Sequence, residues 1–286
     1  MLKALKQVRG AFNLLNPGHV QRMTGRVPEI GLIASTPSDY AAMEDFLIPA
    51  EVPHDKRLVL MRMVHRASDA GAPDNLDLVL YHTDGGSCPA GCFPFSLGIP
   101  GQTVRQVVEK RDDIALALAC HYLPFRRAVA DATIHSVCRE NALFALATAL
   151  PNVIPNILEL PWVMGEFASD TAFITLNQVR MAFLVAAAAG RPVGFDAQKF
   201  EIASIAAGAF GWRAIARELA GRIPLGGGLI PKGAIAYAGT YVVGKGLESY
   251  YRVGRGLSRD ERRQLYSDGL DKGRKLVQGA TEIPPA

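Results

Sequence analysis

Tryptophan and cysteine are scarce in this chain, two and four residues respectively in 286. Four thiols over such a length exclude a disulfide-stapled scaffold and point to a reduced, cytoplasmic compartment. Net charge is small as well. Lys and Arg number 31 against 27 Asp and Glu, and the resulting +4 is too little to imply a nucleic-acid partner. A secretory leader is not expected, because the basic start Met1 to Arg9 leads into a short apolar stretch cut at Pro17. A clean membrane span is missing too, since it needs about 20 predominantly apolar residues. Asn141 to Leu158 is uncharged but contains Pro151 and Pro155, Thr171 to Gly190 carries Arg180, and Gly233 to Gly244 is short. These segments suit hairpin-like or interfacial insertion better than spanning. Internal repeats and low-complexity tracts are absent.

A phosphate-binding loop is also missing, although its place is marked. Glu29 to Ser35 reads as a buried strand and Thr36-Pro37-Ser38-Asp39 as a helix start, with Thr36 as cap, Pro37 in the first turn and Asp39 as the capping acid. The stretch Gly31 to Ser38 can be laid on the pattern G-x-x-x-x-G-K-[ST], where Gly31 and Ser38 match. Thr36 stands for the second glycine and Pro37 for the lysine. Proline has no ammonium for the β and γ phosphates and no backbone N–H to donate. Gly31, Thr36 and Ser38 are left as a weak anion site at a helix N-terminus. The base-reading motif N-K-x-D is absent, and Asp84-Gly85-Gly86 reads as a turn.

What the chain has in quantity is apolar residues, 49% of the total. They concentrate around Arg222 to Tyr251. Three glycines between Pro224 and Pro231 mark a turn there, and an apolar helix follows. Gly233, Ala236, Thr240 and Gly244 recur in it at intervals of three or four. Small residues so spaced form a flat face that admits another helix backbone. A helix apolar nearly all round is buried, in protein or in lipid, and both readings stand at this point. The segment that follows is cationic, with Arg252, Arg255, Arg259, Arg262, Arg263, Lys272, Arg274 and Lys275 against four acids. A basic flank beside an apolar helix suits an anionic cytoplasmic leaflet, and equally a solvated helix end.

Read in order, the chain divides into an amphipathic lead-in helix (1–28), an α/β domain (29–122), a helical domain (123–275) and a disordered tail (276–286). The fold class is therefore α/β plus all-α, a small mostly parallel layer followed by a helical hairpin or bundle. In the first domain, Leu58 to Val64 is read as strand or helix, Asp77 to Tyr81 as a strand, Thr103 to Lys110 as a helix and Ile114 to Ala119 as the last strand. In the second, Phe125 to Leu150 and Thr171 to Ala189 are helices. Asp196 is expected to cap the next one, with Phe195 and Phe200 as a hydrophobic staple. Ser258 and Glu261 form a capping box for a charged last helix.

Cys88 and Cys92 are separated by three residues, not the two of a redox motif, and His82 lies near them. Unligated loop cysteines are the plain reading, and a soft metal on His82, Cys88 and Cys92 the alternative, with Cys120 and His121 next along the chain. Arg180, alone on an apolar helix, faces either solvent or one of Asp170, Glu201 and Glu166. Asn177 and Gln178 can bond across helices. His54, His65, His121 and His135 are scattered, so no catalytic set is expected.

Ser169-Asp170, Leu176-Asn177-Gln178-Val179, the Ala186 to Gly190 end and above all Ile223-Pro224 through Gly244 resemble the helical domain of unknown function found C-terminal to Era-like bacterial GTPases and in a related inner-membrane protein family. The resemblance covers roughly residues 125 to 255. It implies association with a membrane and puts residues 29 to 122 in the place of a G domain, one that departs from its relatives at the phosphate loop and the base-reading motif. The expectation is a pseudo-GTPase, a non-catalytic recruitment or regulatory protein on the cytoplasmic side of the inner membrane, with no cofactor. The alternatives are a soluble homo-oligomeric interaction module, or a GTP- or ATP-binding protein with an atypical loop.

Overall fold

The computed structural model describes residues 15–67, 69, 71–82, 89–149, 170–208 and 230–281. The N-terminal part of the lead-in, Cys88, Asp84-Gly85-Gly86, the prolines 151, 155 and 161, and the glycine-rich turn before Ile230 lie outside these. The chain forms two compact units. One holds Gln21–Ala132 with Ala187–Arg191; the other holds Met1–Val20, Thr133–Ala186 and Pro192–Ala286.

The first unit is α/β. Its strands are β1 (Ile30–Ile33), β2 (Val64–Arg66), β3 (Leu78–His82) and β4 (Phe93–Phe95), in the order β2-β1-β3-β4 and all parallel. Continuous apolar runs such as IGLI suit a sheet covered on both faces, and Ile30, Leu32, Leu78, Leu80 and Phe95 are fully buried. Before β1, Asn16 accepts from the Gly18 N–H and caps α1 (Pro17–Thr24), so Asn-Pro-Gly opens a helix here.

After β1 comes α2 (Pro37–Leu47). Thr36 caps it, accepting from the Asp39 N–H at 3.2 Å, and the Thr36 hydroxyl donates to the Asp39 carboxylate at 2.6 Å. The ambiguous stretch 58–64 divides: α3 (His54–Met61) ends three residues before β2 starts. Then follow α4 (Pro100–Lys110) and α5 (Asp112–His121). The run IALALA, expected as the last strand, is thus helical. A short fully apolar run has no period to separate buried strand from buried helix. Asp112 and Asp113 in the first turn favour the helix, and Ala115 to Ala119 are all buried.

The other unit is helical. Its main helices are α6 (Arg126–Ala149), α7 (Asp170–Ala188), α8 (Ile230–Val253) and α9 (Arg259–Thr281); the division between units falls inside α6 and α7. Helix α9 runs six residues into the stretch expected to be a disordered tail. Its final turns are held because Val277 is fully buried against α8.

Helix α8 is enclosed by its neighbours. A Cβ on Gly233 would meet Val277 of α9 and the Ala142 carbonyl of α6, and one on Gly244 would meet Ile134 of α6 and Met181 of α7. Ala236 joins Phe144, Ala145, Phe173 and Ile174 in one buried cluster, where the two phenyl rings stack 3.9 Å apart. On another side, Gly269 and Gly273 of α9 face Ala238 and Ala234 so closely that added Cβ atoms would stand 2.9 and 2.8 Å from their Cα atoms. These pairings run antiparallel, so α8 and α9 form a hairpin through residues 254–258. Gly254 closes α8 with φ +73, its N–H donating to the Tyr250 carbonyl. At the start of α9 the expected box is complete: Ser258 N–H donates to Glu261 and Glu261 N–H to the Ser258 hydroxyl.

Helix α7 ends at Gly190, φ +67, as its sequence suggests. The staple beyond it does not form. Phe195 packs edge-on against Phe183, and Phe200 is 75% exposed. Gln198, not Asp196, ties the turn, accepting from the Gly194 N–H and donating to the Pro192 carbonyl. A longer amide reaches two backbone groups at once, which the aspartate cannot do.

Candidate functional site

Within the α/β unit, the strand order reverses between β1 and β3. A crevice outside the carboxyl ends of those strands is where open parallel sheets hold ligands. Ala34, Ser35 and Thr36 alone connect β1 to α2 there. Gly31, offered as the first glycine of a phosphate loop, stands in mid-strand, paired with His65 and Val79. A Cβ on it would stand 2.5 Å from Leu76 Cδ1, so this glycine serves sheet packing. The Thr36 hydroxyl is committed to Asp39, and Ser38 is exposed. Asp39 also lies 3.9 Å from His82 Nδ1 at the end of β3. A carboxylate therefore occupies the helix end where a phosphate would rest, and like charges repel there.

The metal candidates separate. Register places Leu80 beside Phe93 and His82 beside Phe95, so Cys92 stands level with the start of β3. His82 is then about three residues further on, roughly 10 Å along the strands. Burial weakens the acidity of the Cys92 thiol. Among the described residues no cluster of three metal-ligating side chains occurs. His121 instead bonds through Nε2 to the Thr24 carbonyl.

In the helical unit a buried polar network joins α6, α7 and α8. Arg180 makes a two-pronged contact with Glu140, at 3.0 and 3.2 Å, and donates to the Asn177 amide oxygen. Asn177 donates to Asn141 and Glu140, Asn141 to Thr240 at 2.8 Å, and Gln178 to Thr240. Arg180 thus pairs with Glu140 on α6 and is largely withdrawn from solvent; the candidate Glu166 lies outside the described residues, and Asn177 and Gln178 bond across helices as expected. Sequence reasoning missed Glu140 because it is 40 residues from Arg180. Its signal was the polar group Arg139-Glu140-Asn141 directly before the apolar run Ala142 to Ala147 of α6.

Beside the network, His135 Nδ1 lies 2.6 Å from the Tyr237 hydroxyl and stacks on Tyr241, whose hydroxyl accepts from Lys272. Burial raises the Tyr237 phenol and the Cys138 thiol far above their usual ranges, so neither supplies an anion near neutral pH. The set bonds within itself and makes a packing joint between α6, α8 and α9.

Compared with protein-family models, curated proteins and solved structures, the chain matches none.

The end of the α8–α9 hairpin leaves apolar side chains exposed. Tyr250 and Val253 are 47% and 52% exposed, while Leu247 and Tyr251 face inward. Arg252, Arg255, Arg259, Arg262 and Arg263 surround them, all exposed. Arg255 grips Glu261 with both guanidinium nitrogens, at 2.9 and 2.8 Å, which pulls that carboxyl down to about 2.

Proposed function

We propose that this protein is a non-catalytic recruitment or regulatory protein acting at the cytoplasmic face of a membrane. Its α/β unit keeps the strand-turn-helix order of a nucleotide-binding domain without the phosphate cradle, and its helical unit makes the contacts. The observation that carries the reading is the β1–α2 connection. Three residues, closed by the Thr36–Asp39 bond and followed by Pro37, provide neither amine nor ring of amides for a triphosphate. The resemblance of residues 125 to 255 to a membrane-associated helical domain supports the location. Attachment is peripheral in this reading. Helix α8 is paired along its length with α9, which carries ten charged residues from Arg259 to Lys275, and such a pair does not enter hydrocarbon.

Calorimetric titration with GTP, ATP and Mg²⁺ is expected to give flat traces; saturable heat at micromolar nucleotide would end the non-catalytic reading. Cell fractionation is expected to leave the protein on membranes at low salt and release it at high salt. A second reading, a soluble homo-oligomer, is favoured by Leu58, Val59 and Met61, which stand 50%, 48% and 58% exposed on α3. Light scattering after size exclusion without detergent separates the two, a dimer that ignores membranes favouring the second.

A further inference from the structure

We propose that the tip of the α8–α9 hairpin docks on the headgroup layer of an anionic phospholipid bilayer. The inference rests on the membrane reading above and names the element and the lipid chemistry that would serve it. Within residues 250–263 five arginines face two acids, Asp260 and Glu261, leaving a local charge of +3. Glu261 is engaged by Arg255 and by the Ser258 backbone. Among the described residues Arg252, Arg259 and Arg263 have no ion pair, so their guanidinium groups are available to phosphate esters.

The apolar residues lie among these cations. Tyr250 and Val253 are exposed at the last turn of α8, while Leu247 and Tyr251 are buried. A phenol with an apolar ring and a polar end suits the boundary between headgroups and acyl chains. Among the described residues nothing lies within 4 Å of where a Cβ on Gly254 or Gly256 would stand. Exposed apolar atoms ringed by unpaired cations fit a lipid surface better than a nucleic acid, whose phosphates would leave Tyr250 and Val253 unused. The charges further along α9 limit the depth to the interface.

The test uses the full chain and sedimentation with vesicles of phosphatidylcholine alone or mixed with phosphatidylglycerol. The wild type should bind the mixed vesicles, lose binding as salt rises, and bind phosphatidylcholine weakly. Each arginine near an anionic surface is worth about fivefold in partitioning. Arg252→Glu, Arg259→Glu and Arg263→Glu together should therefore weaken binding at least about a hundredfold. A control of equal charge change outside residues 250–263, Arg105→Glu, Lys110→Glu and Lys275→Glu, should stay within a few-fold of wild type. If the triple change disturbs the circular dichroism spectrum, Tyr250→Ala with Val253→Ser replaces it, with an expected loss of about tenfold.

Wild-type binding that survives the tip changes, or that the control loses equally, overturns the assignment to the tip and leaves the membrane reading standing. Equal binding to both vesicle types overturns the headgroup chemistry. Binding to neither removes the tip and the membrane reading together. Displacement of the vesicles by duplex DNA at matched phosphate concentration would reassign the tip to nucleic acid and overturn the proposal.

Discussion

Two charged residues carry most of the specificity that single side chains impose. Arg180 and Glu140 are largely withdrawn from water, and each leaves the other stranded if removed. Arg180→Leu or Glu140→Leu should each cost about 2–4 kcal/mol, and the double change less than the sum, in a urea-denaturation cycle. Asp77 works differently. Its carboxylate accepts from both guanidinium nitrogens of Arg26 and from the Glu29 N–H, which holds it below the usual carboxylate range. A carboxyl that loses its proton more readily folded than unfolded stabilises the fold while ionised. That contribution is complete above about pH 4 and fades as pH drops through the lower folded value. Asp77→Asn should flatten the acid side of the stability curve. It should cost about 1 kcal/mol at neutral pH, a modest figure because Arg26 is 68% exposed.

Among the elements, α8 and α9 touch backbone to backbone, and the hairpin depends on the absence of side chains at two places. Gly273→Ala would gain up to about 1 kcal/mol of helix propensity. It would still destabilise by about 1–3 kcal/mol, because its Cβ would fall 2.8 Å from the Ala234 Cα and 2.9 Å from the Tyr237 Cβ. Gly279→Ala, on the same helix with nothing near it, should stabilise by about 0.5 kcal/mol instead. Thermal melts of the pair read both signs. Most of the helices and several caps are legible in the sequence, the Asp196 cap with its staple being the exception. Thr36, Gly190 and the Ser258–Glu261 box act through neighbours in sequence, so short-range chemistry announces them. The small-residue spacing of α8 announced a close neighbour but not which one. It faces α6 and α7, with Gly233 also against Val277 of α9, while α9 packs on Ala234 and Ala238 through its own Gly269 and Gly273. The failures share a cause. IALALA has no period, and Arg180 and Glu140 meet only through folding. Gly31 looked like a loop glycine because one-dimensional spacing cannot tell a strand's middle from its end.

The whole molecule sorts its polarity by place. In the helical unit Asn141, Asn177, Gln178 and Thr240 are buried and tied to one another, while five exposed arginines lie within residues 252–263 at the hairpin end. The α/β unit has a further property at this scale: residues 187–191 belong to it although some fifty residues of the other unit intervene. Gly190 sits against the Arg126 side chain and the Cys120 carbonyl. An added Cβ would lie 2.5 Å from one and 2.9 Å from the other at φ +67. Gly190→Ala should therefore cost about 1–3 kcal/mol, seen as earlier thermal unfolding and faster proteolysis. The same return of the chain has a bearing on biosynthesis. A nascent polypeptide that has left the ribosome through Ala132 still lacks the strap that completes its first unit. At about 5–20 residues per second the missing piece follows some 3–12 s later. Until then the end of α5 waits open, and a chaperone that shields it would act in that interval.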